Sequence, residues 1–231
     1  FEFCKSLEHI SFSEGLETIM GCAFQGCSAL KEINLPNSVK SIELGAFWDC
    51  KKAKTLSLPA KLDYISIDAF QNTAIEEVTI PASVTLVDGM AFADNRNLKT
   101  VRFLGKTKFS TENEQNGYQF SGCESLEDVV LPDETERIEE GMFASCDSLK
   151  EFKFPSKLKT IEDMAFMSSG LTMASLPTGV TKIGEAAFEY SQLIEISLPQ
   201  GLKEIGASAF GSTNLVTAAI PEGIKEIQEG T

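Results

Sequence analysis

At 231 residues with 42% apolar side chains, the chain can bury a sizeable core and is not a disordered tail. Its 34 acidic against 20 basic residues give a net charge of −14, which repels a polyphosphate over most of the surface and argues against nucleic acid as a partner. No run of about 18 apolar residues offers a membrane span, and a single histidine, His9, must serve any Ser-His-Asp, Cys-His or zinc arrangement, which argues against such an enzyme.

Taken in order from Phe1, phenylalanine returns at Phe24, Phe47, Phe70, Phe92, Phe120, Phe143, Phe166, Phe188 and Phe210, in steps of 23, 23, 23, 22, 28, 23, 23, 22 and 22 residues. Most are preceded by Ala; Gln119 and Met142 are exceptions. Between them each unit reads L-x-x-I-x-L-P-x-x-V-x-x-I-x-x-x-A-F, as in Leu30, Ile33, Leu35, Pro36, Val39, Ile42, Ala46 and Phe47. The I-x-L piece alternates with period two and predicts a short strand, which Pro closes because it has no N–H for a ladder. Such segments begin at Leu7, Leu30, Ala53, Ile75, Leu98, Leu126, Leu149, Leu171, Leu193 and Leu215. The V-x-x-I piece reads as a second short strand or an extended turn, and A-F as a tight helical turn that drops Phe inward.

A unit of 22 or 23 residues cannot bury its own apolar positions, so the units must stack into one continuous core. The expectation is a single solenoid over residues 1–231, about ten units long, with no Gly- or Ser-rich linker. One unit is irregular, "LGKTKFSTENEQNGYQF" at 104–120, where the spacing grows by five. There Phe109 is expected to keep the core position of the usual Ile, with Ser110 to Tyr118 bulging from the edge or convex side. Both ends read as stopping mid-unit: Phe1 opens on a turn, and "IKEIQEGT" ends before any A-F.

The strand-closing Pro and the A-F-x-x-C turn, recurring together over essentially the whole chain, resemble the BspA-like, Treponema pallidum-type class of the leucine-rich-repeat superfamily. The better-known leucine-rich pattern has Asn or Cys eight residues after the first Leu, where Ser38 follows Leu30 here. The resemblance implies a right-handed, β-rich solenoid of the α/β horseshoe class, curved, with one short parallel strand per unit on one face. It also implies a bacterial or protist surface protein concerned with adhesion and host contact.

Cys4, Cys27, Cys50, Cys123 and Cys146 each stand three residues after a repeat Phe, with Asn95, Ser169, Ser191 and Thr213 in similar turns. They read first as a buried ladder of small side chains; disulfides between adjacent rungs and soft-metal binding are the alternatives. Cys22 lies off the ladder and reads as a partly exposed free thiol. Adjacent carboxylates such as Glu76 with Glu77 point to opposite sides of a strand, so they are solvated coat rather than an acid/base pair.

Candidate binding residues come from the rows between the inward strand positions. Arg102 and Lys153, with Val130 between them and Glu77, Asp128 and Glu151 alongside, form the one concave cluster of mixed charge. It reads either as lateral salt-bridging that keeps a parallel sheet soluble or as a contact patch for a partner. The 104–120 insertion is a second candidate. The apolar outward row of Thr172, Met173, Ile194, Val216 and Ala219 is a third. The expected function is a non-catalytic, extracellular or cell-surface module that binds a protein or glycan as a monomer, without cofactor, metal or membrane insertion within the chain. The alternative is a structural spacer in a longer surface protein.

Overall fold

A computed structural model of the chain describes residues 1–109 and 117–231. Among these, sixteen short strands form: β1 (Thr18–Ile19), β2 (Glu32–Asn34), β3 (Ser41–Ile42), β4 (Thr55–Ser57), β5 (Tyr64–Ile65), β6 (Glu77–Ile80), β7 (Leu86–Val87) and β8 (Thr100–Phe103). The order continues with β9 (Lys108–Phe109), β10 (Asp128–Val130), β11 (Arg137–Ile138), β12 (Thr160–Ile161), β13 (Met173–Ser175), β14 (Lys182–Ile183), β15 (Glu195–Ser197) and β16 (Glu204–Ile205).

The V-x-x-I pieces are therefore strands, and the molecule is a parallel solenoid with two ladders. The I-x-L strands pair as β2–β4, β6–β8–β10 and β13–β15, and the V-x-x-I strands as β1–β3–β5–β7–β9 and β11–β12–β14–β16. All pairs are parallel and join equivalent residues: Val78 faces Val101 and Val101 faces Val129; Ile42, Ile65, Val87 and Phe109 follow one another in register. Phe109 thus takes the usual Ile place, and the 22-, 23- and 28-residue units all return to one register, because a one-residue slip would turn every inward side chain out.

All eight prolines follow an I-x-L segment, six of them at the end of a strand. Each turns the chain the same way, its carbonyl accepting a hydrogen bond from the N–H three residues on, as Pro36 does from Val39 and Pro155 from Leu158, both at 3.1 Å.

The segment around each Phe is not the expected helical turn. It is a run of β-turns in which alternate N–H groups bond within the turn and to the next rung. Ala46 donates to Glu43, Trp48 to Gly45 and Cys50 to Phe47, while Gly45, Phe47 and Asp49 donate to Ile67, Ala69 and Gln71. The residues two before and two after Phe are left-handed, with φ of 56° at Gly45 and 62° at Asp49. A left-handed residue every fourth position cannot propagate a right-handed helix.

The core is a column of rings. From Phe1 to Phe210 successive repeat phenylalanines stack with centroids 5.2 to 5.9 Å apart. The seven from Phe47 to Phe188 are fully buried. Beside them the cysteine ladder has a bonding role as well as a packing one. The thiols of Cys27, Cys50, Cys123 and Cys146 donate to the carbonyls of Phe1, Phe24, Phe92 and Phe120, at 3.1 to 3.3 Å, tying each rung to the one before it. All six cysteines are unpaired thiols, with Cys4 exposed and Cys22 half-buried. Where Ser169 and Ser191 replace Cys, their buried hydroxyls reach no partner among the described residues.

Candidate functional site

The I-x-L ladder presents alternate side chains to solvent. On β8 the inward Val101 and Phe103 are buried and Arg102 is exposed. Strand register sets Glu77, Thr100 and Asp128 in one outward row and Thr79, Arg102 and Val130 in the next. The Arg102 guanidinium reaches the Asp128 carboxylate at 2.5 Å, with both side chains half-exposed. Val130 is 41% exposed beside them. Glu77, Arg102, Asp128 and Val130 therefore share one strip.

Glu151 and Lys153 are exposed but do not extend the ladder, because residues 151–154 form no strand. The Phe152 between them is larger than the Ile, Val or Leu of most other rungs and packs against the rings of Phe143, Phe154 and Phe166 at 5.2, 4.9 and 5.0 Å. It stays half-buried.

A second feature of this face is a seam that the sequence rows do not single out. No ladder pairing joins β4 to β6, and the nearby bond from the Glu76 N–H to the Lys54 carbonyl is long, at 3.4 Å. A cleft of about 550 Å³ opens there, lined by Lys54, Thr55, Leu56, Glu76, Glu77, Lys99 and Thr100. An adjoining one of about 380 Å³ shares Leu56 and Glu77 and adds Ser57, Leu58, Thr79 and Leu104. Leu104 is 65% exposed. It carried a signal: it stands where eight other units have Pro, and Ser13 is the other exception. Next to this seam, the Phe70–Phe92 unit is one residue shorter than the three before it.

The clefts combine leucine side chains with hydroxyls and charges of both signs, an arrangement suited to holding a polar–apolar surface. Lys54 and Glu76 pair across the seam at 3.7 Å. His9 is exposed, 3.7 Å from Glu32. Among the described residues no group of three or more His, Cys, Asp or Glu is placed to hold a metal ion, and no helix is long and apolar enough to cross a membrane.

The other two candidates fare differently. Of the expected bulge at Ser110 to Tyr118, residues 110–116 lie outside the described residues, while Tyr118 stands in the regular turn before Phe120, its N–H donating to the Glu140 carbonyl at 2.7 Å. Met173, Ile194 and Val216 are exposed, with Met173 level with Glu195 rather than with Ile194.

Two parallel ladders, a strand-closing Pro and a ring column on a 23-residue period are the frame of a known repeat class. The BspA type leucine rich repeat region, six copies, matches residues 1–112 and 113–231. The chain belongs to this BspA-type leucine-rich-repeat family. A leucine-rich repeat protein of Bacteroides ovatus is similar in structure, with TM-score 0.73 and 27% identity, over 96% of this chain and 68% of that one. The pneumococcal vaccine antigen PcpA is similar with TM-score 0.52 and 25% identity, over 92% of this chain and 66% of that one. No curated protein sequence matches the chain. The BspA-type repeat thus accounts for the Phe column and the two ladders along the described chain.

Proposed function

We propose that the chain is a non-catalytic, extracellular or cell-surface BspA-type module, one solenoid over residues 1–231, that binds a protein or glycan as a monomer through its I-x-L face. The observation that carries this reading is the continuity of the β4/β6 clefts with the Glu77, Arg102, Asp128 and Val130 strip: apolar side chains, hydroxyls and charges meet on one rigid surface. Lys153 and Glu151 form its far rim. The likeness to a vaccine antigen supports an exported location, and fold alone does not choose the partner.

The lateral ion pairs Glu8–Lys31 at 2.5 Å and Lys54–Glu76 at 3.7 Å favour a second reading, a spacer whose charges serve solubility. Exposed pairs of this kind contribute roughly 0–1 kcal/mol each.

A screen of the chain against matrix proteins and glycan arrays separates the two. A ligand found there should lose at least roughly tenfold in affinity with Arg102→Ala plus Lys153→Ala, and similarly with Leu104→Asp. A verified ligand unaffected by both variants would move the site elsewhere, and no ligand at all would favour the spacer.

A further inference from the structure

The V-x-x-I ladder runs from β1 to β9 and again from β11 to β16, and is interrupted between them. The rungs on either side stay packed, since β8 and β10 pair in register on the other ladder and Phe120 stacks on Phe143 at 5.9 Å. Yet every Cα of β9 lies more than 8 Å from every Cα of β11. Neighbouring strands stand about 4.8 Å apart, so a strand added between two would hold them roughly 9.6 Å apart, a separation compatible with this opening.

Its walls are strand edges. Elsewhere on this ladder the residue after the inward Ile donates its N–H one rung back, as Glu162 does to Ile138 at 2.9 Å and Gly184 to Ile161 at 2.8 Å. Among the described residues Glu139 makes no such bond to Phe109. A cleft of about 470 Å³ lies there, with Thr107, Lys108 and Phe109 on one wall and Thr135, Arg137 and Glu139 on the other.

The core beside it departs from the repeat in the same place. Thr135 occupies a position that is Val or Leu in most units, and its buried Oγ1 has no partner among the described residues. Gln119 replaces the usual Ala; it is fully buried, and neither its Oε1 nor its Nε2 has a partner among the described residues. Of these two residues only Thr135 lines the cleft, and unpartnered buried atoms also occur away from it, at Asp68, Ser169 and Ser191, so it is the pair of open strand edges that points to an occupant.

We propose that this cleft takes up one extended segment of a partner protein, added as a strand between β9 and β11. Register dictates its chemistry. The inward residue stacks between Phe109 and Ile138 and is apolar. The residue before it lies between Lys108 and Arg137 and is acidic to meet Lys108, since Arg137 already pairs with Glu162 at 2.8 Å. The segment therefore reads acidic, then apolar. Its backbone N–H groups pair with the β9 carbonyls, and its carbonyls with the N–H groups of β11.

The test titrates a capped, fluorescent heptapeptide, Lys-Thr-Lys-Glu-Ile-Ser-Lys, into the full chain, with amide exchange read at Glu139. Saturable binding is expected, with exchange at Glu139 slowed roughly tenfold or more. N-methylation of the Ser after Ile, which removes the donor to the Phe109 carbonyl, should weaken binding roughly tenfold. Lys108→Glu, a surface change, should weaken the parent peptide and strengthen a peptide with Lys in place of Glu. Equal binding of the N-methylated peptide, or an unaltered preference in Lys108→Glu, overturns the proposal. So does binding only after residues 110–116 are replaced by Gly and Ser, which would make the chain's own segment the occupant.

Discussion

The rings of Phe92 and Phe120 stack 5.6 Å apart with planes 10° from parallel, although 28 residues separate them where neighbouring anchors are otherwise 22 or 23 apart. The ring column passes the irregular unit without a break. Phe143 sits within that column, fully buried, with Phe120, Phe152 and Phe166 within 6 Å of its ring centre. Phe143→Ala is expected to destabilise by about 3–5 kcal/mol. Phe210→Ala, at a half-buried ring with one stacked neighbour, should cost roughly half as much or less. Urea unfolding of both variants checks this, and equal shifts would mean that the column is not the main source of core stability.

The cysteine ladder should be chemically silent in the folded chain. Burial pushes the Cys50 thiol up to about 12 and the thiols of Cys27, Cys123 and Cys146 above their ordinary value as well. Without reductant, a thiol reagent at pH 8 should modify Cys4 and Cys22 in the native protein and all six thiols after unfolding. These acids are harder to ionise folded than unfolded. Their contribution to stability is therefore complete below about pH 9 and declines as pH rises beyond it. Fewer than six thiols in the unfolded protein would show disulfides instead.

The repeat was legible because its signals are redundant. Phe, Pro and the Cys or Asn turn recur at fixed offsets, so no single departure hides the period. The second strand was ambiguous because two residues, such as Ser41 and Ile42, are too short for alternation to show. The helical turn at A-F was misjudged because the positive φ at Asp49, Asp68 or Met90 leaves no composition signature; only some units place Gly there.

Of the candidate site, the Arg102, Asp128 and Val130 grouping was readable from strand register. The clefts were not, because they arise from a lapse in pairing between β4 and β6 rather than from any residue type. Leu104 in a proline position was the one available sign. Lys153 stands outside the ladder because residues 151–154 form no strand, a lapse that a pattern of apolar letters does not record.

Glu139 makes stability depend on pH in the near-neutral range. Burial pushes its carboxyl up to about 7, with the Glu162 carboxylate adding to the shift and Arg137 opposing it. Its folded pKa is thus above the unfolded value of 4.5. The associated stability is present in full below pH 4.5 and is lost as pH rises through about 7. Glu139→Gln should add about 1–3 kcal/mol at pH 8 and little at pH 4. Paired urea titrations across that range check the slope, and an equal gain at both pH values would mean that ionisation is not the cause.

Asn95 is the rung at which the ladder's bonding is most concentrated. It is fully buried. Its Nδ2 donates to the carbonyls of Phe70 and Phe92 at 2.9 and 2.8 Å, tying its own rung to the one before. Its Oδ1 accepts from the Thr73 N–H at 3.1 Å and also from the Thr73 hydroxyl. Asn95→Ala would leave buried donors and acceptors unpaired and is expected to cost about 2–4 kcal/mol. Asn95→Cys is the more discriminating change. A thiol there can donate to the Phe70 carbonyl, as Cys50 does to Phe24, but it is a poor acceptor for the Thr73 N–H. The Cys variant should therefore lie between Ala and the parent in chemical denaturation. Thr73→Val should cost measurably in the parent and much less in the Asn95→Cys background, because the hydroxyl has then already lost its partner. If Asn95→Cys matches the parent in stability, the Thr73 bonds contribute nothing, and the ladder position is governed by packing alone.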